Sequence, residues 1–264
     1  MDESNPAVIC LSGGLDSTSL LLHLLAQRRN VFGLSFDYGQ KHKIELQRLQ
    51  ANLTYLKSRG HNVAWHLVDL SSISPVLHSA LTDPNWDVPE GHYEADNMKQ
   101  TVVPNRNSIF ASIAFAYALS ISQKLDRSVE ICLGVHSGDH AIYPDCRPEF
   151  YEAIHRAFQL GNWNSESISL YLPYLNFDKF QILQDAKSSI ESLDLEFESI
   201  FRNTITSYAP DRDGVSKGLT GSDVERILAF EKLGVADPIE YHDSWESVLA
   251  KAKSFENESQ QKEV

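Results

Sequence analysis

A loop of small and hydroxyl-bearing residues near the start of the chain limits the possible fold more than any other feature. The run LSGGLDST, residues 11–18, joins the apolar run AVICL at 7–11 to a stretch from Ser17 to Arg28 whose leucines recur at helical spacing. A glycine pair lets the backbone approach a ligand closely, and the amides that open a helix favour an anion. The loop therefore predicts a phosphate-binding strand-to-helix turn, with a simple capped turn as the alternative.

The alternation of strands and helices continues along the chain. A second, buried strand is predicted at Val31–Phe36, and further strands are predicted at Asn62–Asp69, Glu130–Val135 and Ile168–Tyr174. Helical stretches lie between them, at His42–Ser58 and Asn105–Ser122. Apolar strands separated by helices form parallel sheets that are covered on both faces. We therefore expect an α/β fold with a doubly wound parallel sheet.

The pattern divides the chain into three regions. Residues 1–190 are predicted to form the nucleotide-binding domain, in which 71–104 has four prolines and no periodicity and indicates a lid or binding loop. Residues 191–250 are predicted to form a C-terminal helical region, where Ser222 caps a helix with Glu225 three residues later. Residues 251–264 are charged and rich in glutamine, and we expect a disordered tail.

Charge and cysteine usage exclude several classes of protein. A formal net charge of −13 over 264 residues disfavours sequence-independent binding to nucleic acids and to anionic membranes. No apolar run approaches the roughly 20 residues that a bilayer span needs. The three cysteines are far apart and form no CxxC motif, so no disulfide framework is indicated. We expect a cytoplasmic protein without nucleic-acid or membrane partners.

The residue types in the first loop suit a nucleoside triphosphate. Hydroxyls of serine and threonine can donate to phosphate oxygens, and the Asp16 carboxylate either suits a bridging magnesium ion or orients the loop. The loop lacks the GxxxxGK[ST] and GxGxxG patterns. It resembles the SGGxDS loop of the PP-loop ATP pyrophosphatases, which hold the pyrophosphate end of ATP and transfer AMP. The predicted ATP contacts are Leu11, Ser12, Gly13, Gly14, Asp16, Ser17 and Thr18, with Ser35, Phe36 and Tyr38 at the end of the second strand.

Two later segments add candidate ligands. Arg106 opens an Ala-rich helix, where a cation opposes the helix dipole unless an anion binds there; a solvated arginine is the alternative. The segment GVHSGDHAIYPDCR at 134–147 carries two His, two Asp and an Arg after the fourth strand. Such a cluster could bind a metal ion, although its spacing matches no zinc pattern. An aspartate that accepts from a guanine-like base fits at least as well.

Together these segments resemble the QueC family, the 7-cyano-7-deazaguanine synthases. The resemblance extends over nearly the whole chain before the tail. It includes, besides the loop at 11–18, the runs FDYGQ at 36–40, EGHY at 90–93, VVPNRN at 102–107, GVHSGDHAIYPDCRPEF at 134–150, LGNW at 160–163, Lys179 and Asp237-Pro238. The run YPDCRPEF is far more specific than the phosphate loop.

The resemblance implies a fold, a reaction and residue roles. The fold is of the HUP type, like that of adenine nucleotide alpha hydrolases. The family uses ATP and Mg²⁺ to adenylate the carboxylate of 7-carboxy-7-deazaguanine, adds ammonia to give an amide, and dehydrates the amide to the nitrile with a second ATP. Asp16, Arg106 and Lys179 take catalytic roles, with a surface position for the lysine as the alternative. Substrate contacts are expected from Asn107, His136, Asp139, Tyr143 and Asp145, and a homodimer is expected.

The chain departs from the family pattern at a zinc site. Family members carry four cysteines, one in an [ST]-C-Y segment and three in C-G-x-C-x-x-C. The corresponding residues here are Ser207, Lys217, Thr220 and Asp223. None of them offers a thiolate, so zinc is not expected. The loop then needs other support, such as an ion pair between Lys217 and Asp223.

The nucleophile that follows activation is open on sequence grounds. Some QueC-like proteins belong to antiviral defence operons, where the activated deazaguanine is thought to pass to a protein amine. Loss of all four zinc ligands beside intact activation motifs favours this conjugating reaction, with an ordinary nitrile-forming synthase as the alternative. An inactive nucleotide- or deazapurine-binding protein is a further alternative. The shortage of Lys and Arg argues against a tRNA substrate, and no cysteine pair for sulfur transfer is visible.

Overall fold

Five parallel strands form the centre of the computed structural model, which describes residues 5–41, 43–83, 85–89, 96–138, 143–207, 210–211 and 213–262. The strands are β1 (Ala7–Cys10), β2 (Val31–Asp37), β3 (Ala64–Asp69), β4 (Val129–Cys132) and β5 (Ile168–Tyr171). Their order in the sheet is β3-β2-β1-β4-β5, and every pairing is parallel. The predicted α/β fold with a parallel sheet is confirmed.

Helices cover both faces of this sheet. The α-helices of the described residues are α1 (Leu15–Ala26), α2 (Ile44–Ser58), α3 (Arg106–Leu125), α4 (Pro148–Gly161), α5 (Lys179–Ser192), α6 (Phe197–Phe201), α7 (Gly221–Leu233) and α8 (Trp245–Lys262). Short 3-10 helices lie at Ser71–Val76, Asp96–Thr101, Pro144–Cys146 and Ser165–Ser167. Helices α1, α2 and α5 contribute to the core on one face of the sheet, and α3 and α4 to the core on the other, as in a doubly wound fold.

The alternation of side chains along β1 explains why two cores form. Ala7 and Ile9 point to the core shared with α1 and α5, whereas Val8 points to the core shared with α3. All three side chains are fully buried. A central strand with helices on both sides must be apolar at every position, which is the pattern that the sequence shows here.

The C-terminal region differs from its sequence-based prediction at two places. Helix α7 begins one residue before the predicted cap, and Thr220 rather than Ser222 accepts from the amide three residues on. The predicted disordered tail is helical as far as Lys262, because α8 packs Val248 and Ala252 in a small core with residues of α7. Buried apolar contacts at the start of α8 therefore order a segment that looks featureless in composition.

Helix α3 is the one described helix long and apolar enough to cross a bilayer, judged by length and composition alone. It instead contributes Ala114, Phe115 and Ala118 to the core beneath the sheet, and all three are buried. Its apolar composition follows from this packing. The helix also brings Arg106, its first residue, to the carboxyl end of β1.

Candidate active site

The carboxyl ends of the central strands border a crevice of about 300 Å³. The connection after β1 runs toward β2, whereas the connection after its neighbour β4 runs toward β5 in the opposite direction, and ligand crevices form at such a switch point. The predicted site residues that line the crevice are Leu11, Ser12, Gly14, Asp16, Ser17, Phe36, Tyr38, Arg106 and Asn107. Segments that are far apart in the sequence therefore meet in one place, as the strand pattern predicted.

The loop at 11–18 is held by its own hydroxyl groups. The amide of Ser12 donates to Ser17 Oγ at 3.2 Å, and the amide of Gly14 donates to Ser12 Oγ at 3.1 Å. Gly13 has φ of +88°, and a Cβ at this residue would lie 2.4 Å from the carbonyl oxygen of Glu45, so only glycine fits. The first amides of α1 follow directly, and these have no acceptors inside the helix. The turn therefore offers free donors to an anion at the crevice wall.

A buried lysine joins this loop to the segment after β4. Lys179, the first residue of α5, is 4% exposed and donates to both carboxylate oxygens of Asp16, at 2.9 and 2.8 Å. Its Nζ also lies 2.9 Å from Nε2 of His136, which is 1% exposed. These contacts exclude the alternative of a surface lysine. His136 does not line the crevice. It lies one layer deeper, next to Asp16.

The charge state of Asp16 follows from these neighbours. Burial works to raise the pKa of Asp16, but the Lys179 ammonium and then His136 outweigh burial and hold the pKa below its ordinary value. Asp16 is therefore a carboxylate at neutral pH. Both of its oxygens are engaged by Lys179, so a metal ion would have to share them.

Glu225 belongs to the same cluster, although the sequence analysis interpreted it only as a helix-capping residue. Its Oε2 lies 3.3 Å from Nζ of Lys179, and its Oε1 lies 3.8 Å from Nδ1 of His136. Glu225 is on α7, more than 40 positions beyond Lys179 in the sequence. No local pattern could have identified it, because its role depends on how α7 packs against α5. We call Asp16, His136, Lys179 and Glu225 the lysine cluster.

Glu45 is a second titratable residue that the sequence analysis did not identify. It lines the crevice and accepts from Gln40 Nε2 at 3.2 Å. Burial raises the pKa of Glu45 to about 7, against the lowering effects of the Gln40 hydrogen bond and of the Arg106 guanidinium. Glu45 therefore changes charge near neutral pH beside the phosphate loop. On the polar face of a predicted helix, a glutamate gives no sign of such a position.

Two predicted ATP contacts have side chains away from the crevice wall. Thr18 is buried within α1, and its hydroxyl has no hydrogen-bond partner within the described part of the chain. Ser35 is buried in the sheet, where its hydroxyl donates to the Leu11 carbonyl at 2.6 Å and accepts from Trp65 Nε1 at 2.8 Å. The side chains of Thr18 and Ser35 therefore do not face the crevice, and the hydroxyl of Ser35 joins neighbouring strands instead.

None of the described substrate contacts that were predicted after β4 has a side chain on the crevice wall. Tyr143 is buried with its hydroxyl 2.6 Å from a threonine hydroxyl, and Asp145 is half-buried on the 3-10 turn that follows. Neither side chain lines the crevice, whereas Cys146 of the same turn does and accepts from Asn107 Nδ2 at 3.6 Å. Asp139 lies outside the described residues, as does the EGHY run at 90–93.

A carboxylate organises the loop where the family pattern has cysteines. Asp223 is 1% exposed, and its Oδ1 accepts from Ser216 Oγ at 2.8 Å. Its Oδ2 accepts from Ser207 Oγ at 3.0 Å and from the hydroxyl and amide of Thr220 at 2.6 and 3.1 Å. Burial raises the pKa of Asp223, and these hydrogen bonds oppose the rise. We call these four residues the Asp223 cluster.

The predicted ion pair between Lys217 and Asp223 is not formed. Lys217 is exposed, whereas its neighbour Ser216 is buried and supplies the hydroxyl to Asp223. The turn brings this about, because Ser216 Oγ also accepts from the amide of Gly218, whose φ is +71°. Ser207 lines the crevice as well, so the Asp223 cluster borders the site directly.

A buried ion pair holds α7 on its other side. Arg226 donates through Nε to Asp237 Oδ2 at 2.6 Å and through a second nitrogen to Oδ1 at 2.9 Å. The guanidinium also donates to Thr204 Oγ1 at 2.8 Å, and the Tyr241 hydroxyl donates to Asp237 at 2.8 Å. Both charges are fully buried and satisfied by several partners. Glu225, between Asp223 and Arg226, is thus fixed from both sides.

Comparison with known proteins places these features in a family. The model of the family described as queuosine biosynthesis protein QueC matches residues 6–234. The 7-cyano-7-deazaguanine synthase of Caldicellulosiruptor bescii is 41% identical over 235 residues, which are 89% of this chain and 96% of the relative. The 7-cyano-7-deazaguanine synthase 1 of Colwellia psychrerythraea is 42% identical over 237 residues, 89% of this chain and 97% of the relative.

Likeness to solved structures is weaker. A 4-thiouridine synthetase in complex with RNA and bound ATP aligns over 96% of this chain and 53% of its own, with a TM-score of 0.43 and 16% identity. An NMN synthetase from Francisella tularensis gives a TM-score of 0.42 and 14% identity over 98% of this chain and 87% of its own. TM-scores and sequence identities this low give no information about the site or the reaction.

Proposed function

The chain belongs to the QueC family, and on that premise we propose that it converts the carboxylate of 7-carboxy-7-deazaguanine to a nitrile with ATP and ammonia. Two relatives at 41% and 42% identity are named for that product. The observation that carries the proposal is the meeting of the phosphate loop, Arg106 and the Asp16–Lys179 pair at one crevice. The names of the relatives favour this alternative over conjugation to a protein amine.

The residues at the crevice fit ATP. The hydroxyls of Ser12 and Ser17, together with the amides that open α1, would hold the pyrophosphate end, where the start of α1 favours negative charge. Arg106 supplies a cation on the opposite segment of the wall. Phe36 is stacked on Phe110, with ring centroids 4.1 Å apart, and offers an apolar surface for a base.

The lysine cluster fits the chemistry of carboxylate activation. A carboxylate has no good leaving group, and transfer of AMP to its oxygen creates one. Charge develops on the phosphate oxygens during that transfer, and a preorganised ammonium stabilises such charge strongly in a site that excludes water. Lys179 does not itself line the crevice. Asp16 and Glu225 hold it behind the wall, so its charge would act on the reacting phosphate across Asp16 without reorganisation. Magnesium would be held mainly by phosphate oxygens, with Asp16 as the nearby carboxylate.

We propose that the Asp223 cluster replaces the family's zinc. A structural zinc site needs four nitrogen, sulfur or oxygen ligands in a tetrahedron, usually thiolates and imidazoles. The donors here are three hydroxyls and one carboxylate, and the fourth family position, Lys217, is exposed. These residues do not fit zinc, and they already satisfy one another.

Three further expectations accompany the proposal. A homodimer is expected from the family resemblance alone. A cytoplasmic location is supported by the free thiols of Cys10, Cys132 and Cys146, since oxidising compartments favour disulfides. The net charge of −13 supports a small-molecule substrate over a nucleic acid.

Mass spectrometry of reaction products tests the proposal. Purified protein is incubated with ATP, Mg²⁺, 7-carboxy-7-deazaguanine and ammonium, and we expect the nitrile together with AMP. A product that stops at the amide or the adenylate would instead support a protein amine as acceptor. If no AMP forms in a substrate-dependent manner, the proposed enzymatic function is wrong and the protein only binds its ligands.

A pair of variants on one helix makes the test specific. Lys179→Met should lower AMP formation by at least about 100-fold, because one preorganised charge contact is worth that much. Lys187→Met on the exposed face of the same helix is the matched control and should leave the rate unchanged. Equal rates for both variants would show that the lysine cluster takes no part in activation.

A further inference from the structure

The turn that follows β2 carries a lysine on the wall of the crevice. Lys41 lies in this turn, is partly exposed and lines the crevice. The sequence analysis assigned no role to it, and neither the loop at 11–18 nor the lysine cluster contains it. A cation on the wall of an anion-binding crevice is a candidate ligand contact in its own right.

Hydrogen bonds fix the turn from which Lys41 projects. Gln40 is buried, and its Oε1 accepts from the amide of Tyr38 at 2.9 Å while its Nε2 donates to the carbonyl of Phe36 at 3.2 Å. The amide of Lys41 itself donates to the carbonyl of Leu81 at 3.2 Å. The main chain on both sides of the lysine is therefore held before any ligand binds.

The ammonium group of Lys41 has a neutral partner. Its Nζ donates to the main-chain carbonyl of Trp86, and it pairs with no carboxylate within the described part of the chain. Lys43, two residues further on, differs in that its Nζ lies 2.7 Å from Oδ2 of Asp37. An ammonium has three donors, and the carbonyl uses one of them. Lys41 can therefore bind an anion while the carbonyl keeps its side chain in place.

Helix α2 brings this turn against the phosphate loop. The main-chain oxygen of Glu45, in the first turn of α2, would lie 2.4 Å from a Cβ placed on Gly13. Lys41 is four positions before Glu45 and lines the same crevice as the loop at 11–18. A phosphate at the start of α1 would thus be next to the turn. Resting on the proposed function, we infer that Lys41 binds the pyrophosphate end of ATP together with this loop.

The chemistry of lysine favours a phosphate over the carboxylate of the other substrate. An ammonium on a flexible stem binds phosphate as a compact point charge, whereas the planar fork of a guanidinium matches a carboxylate better. The pyrophosphate end is present in ATP and in the leaving group alike. A contact made equally to both contributes to binding and leaves the rate of the chemical step nearly unchanged.

Calorimetric titration in the presence of Mg²⁺ measures this contact directly. Lys41→Met removes the charge, and we expect the Kd for pyrophosphate and for ATP to rise at least about tenfold, since a hydrogen bond to a charged group is worth that much. The Kd for AMP should stay unchanged, because AMP lacks the pyrophosphate end. Lys43→Met removes an equal charge from the same segment, is the matched control and should alter none of the three.

Three results would overturn the inference. The first is an unchanged Kd for pyrophosphate in folded Lys41→Met. The second is an equal rise in the Kd for AMP, which would place Lys41 at the nucleoside or the α-phosphate. The third is weaker binding of 7-carboxy-7-deazaguanine with unchanged binding of pyrophosphate, which would assign Lys41 to the substrate carboxylate.

Two further variants separate binding from support of the Trp86 segment. Lys41→Gln can still donate to the Trp86 carbonyl but has no charge, and it should show the same rise of about tenfold in the Kd for pyrophosphate. Lys41→Arg keeps the charge and should restore most of the affinity. A purely structural lysine would give the opposite result, with a lower unfolding midpoint in Lys41→Met and no change in the Kd for pyrophosphate in Lys41→Gln.

Failure of this inference is distinguishable from failure of the proposed function. The titrations contain neither deazapurine nor ammonium, so they do not depend on which acid is activated. Unaltered protein that binds pyrophosphate through Lys41 but forms no nitrile would overturn the proposed function and support the inference. Unaltered protein that binds neither ATP nor pyrophosphate would overturn both.

Discussion

Substitution of Asp223 by asparagine tests whether hydrogen bonds have taken over the support of the loop. The carboxylate accepts four hydrogen bonds, three on Oδ2 and one on Oδ1. An asparagine of the same shape can place its amide oxygen at Oδ2 and keep three acceptor contacts. Its NH₂ group then faces Ser216 Oγ, whose hydroxyl must rotate to accept.

The magnitude follows from the strength of each contact. A hydrogen bond to a charged group contributes about 1.5–3 kcal/mol and one between neutral groups about 0.5–1.5 kcal/mol, so each retained bond loses about 1 kcal/mol. The neutral asparagine avoids the desolvation cost of a buried carboxylate, because burial opposes the ionised form of Asp223, and this gain offsets part of the loss. We expect Asp223→Asn to lower the free energy of unfolding by about 2 kcal/mol. Asp223→Ala, which removes the carboxylate that accepts all four hydrogen bonds, should lower the free energy of unfolding by about 4 kcal/mol or more.

Urea unfolding with and without a strong chelator measures both effects. The unaltered protein should unfold at the same midpoint in either case, since no zinc contributes. Asp243→Asn, at an exposed aspartate that pairs with Lys251, is the control and should leave the midpoint unchanged. Loss of stability on chelation, or an Asp223→Asn midpoint equal to that of the control, would refute the reasoning.

Two other sites give shorter tests. Burial raises the pKa of Glu45 to about 7, so between pH 4.5 and 7 the folded state holds a proton on Glu45 that the unfolded state has lost. The free energy of unfolding should therefore fall as pH rises through this window. In urea titrations, Glu45→Gln should remove this contribution to the pH dependence of stability. The KM for ATP should rise above pH 7 in the unaltered protein and stay flat in Glu45→Gln, because the carboxylate ionises beside the phosphate loop; parallel profiles would contradict this. Arg226→Met should lower the free energy of unfolding by about 3–5 kcal/mol, since it leaves Asp237 buried and charged, and Arg226→Met with Asp237→Leu should recover part of the loss.

The sheet and the crevice were predictable because their signals are local. Strand β1 is a continuous apolar run and most of the others are largely apolar, and the order of elements forces the carboxyl ends of parallel strands to one edge. The loop at 11–18 combines a glycine that must adopt positive φ with the start of a helix. The position of the loop between a strand and a helix was therefore enough to predict that its residues line the crevice.

The lysine cluster was predictable only in part because it depends on packing between distant helices. Lys179 opens α5 and Glu225 lies in α7, and no periodicity indicates that their charged ends meet beneath Asp16. Ser35 shows the reverse case. Its position at a strand end suggested a ligand contact, but the neighbouring Trp65 and the Leu11 carbonyl use its hydroxyl within the sheet.

The Asp223 cluster also bears on the choice of nucleophile. The sequence favoured conjugation to a protein amine because all four zinc ligands are missing, which treats the loop as altered in use. The described contacts show that the loop is still held, since Asp223 binds Ser207, Ser216 and Thr220 and caps α7. Helix α7 in turn keeps Glu225 against Lys179. Because hydrogen bonds hold the loop beside the crevice, the absence of the thiolates gives no separate reason to expect a different acceptor.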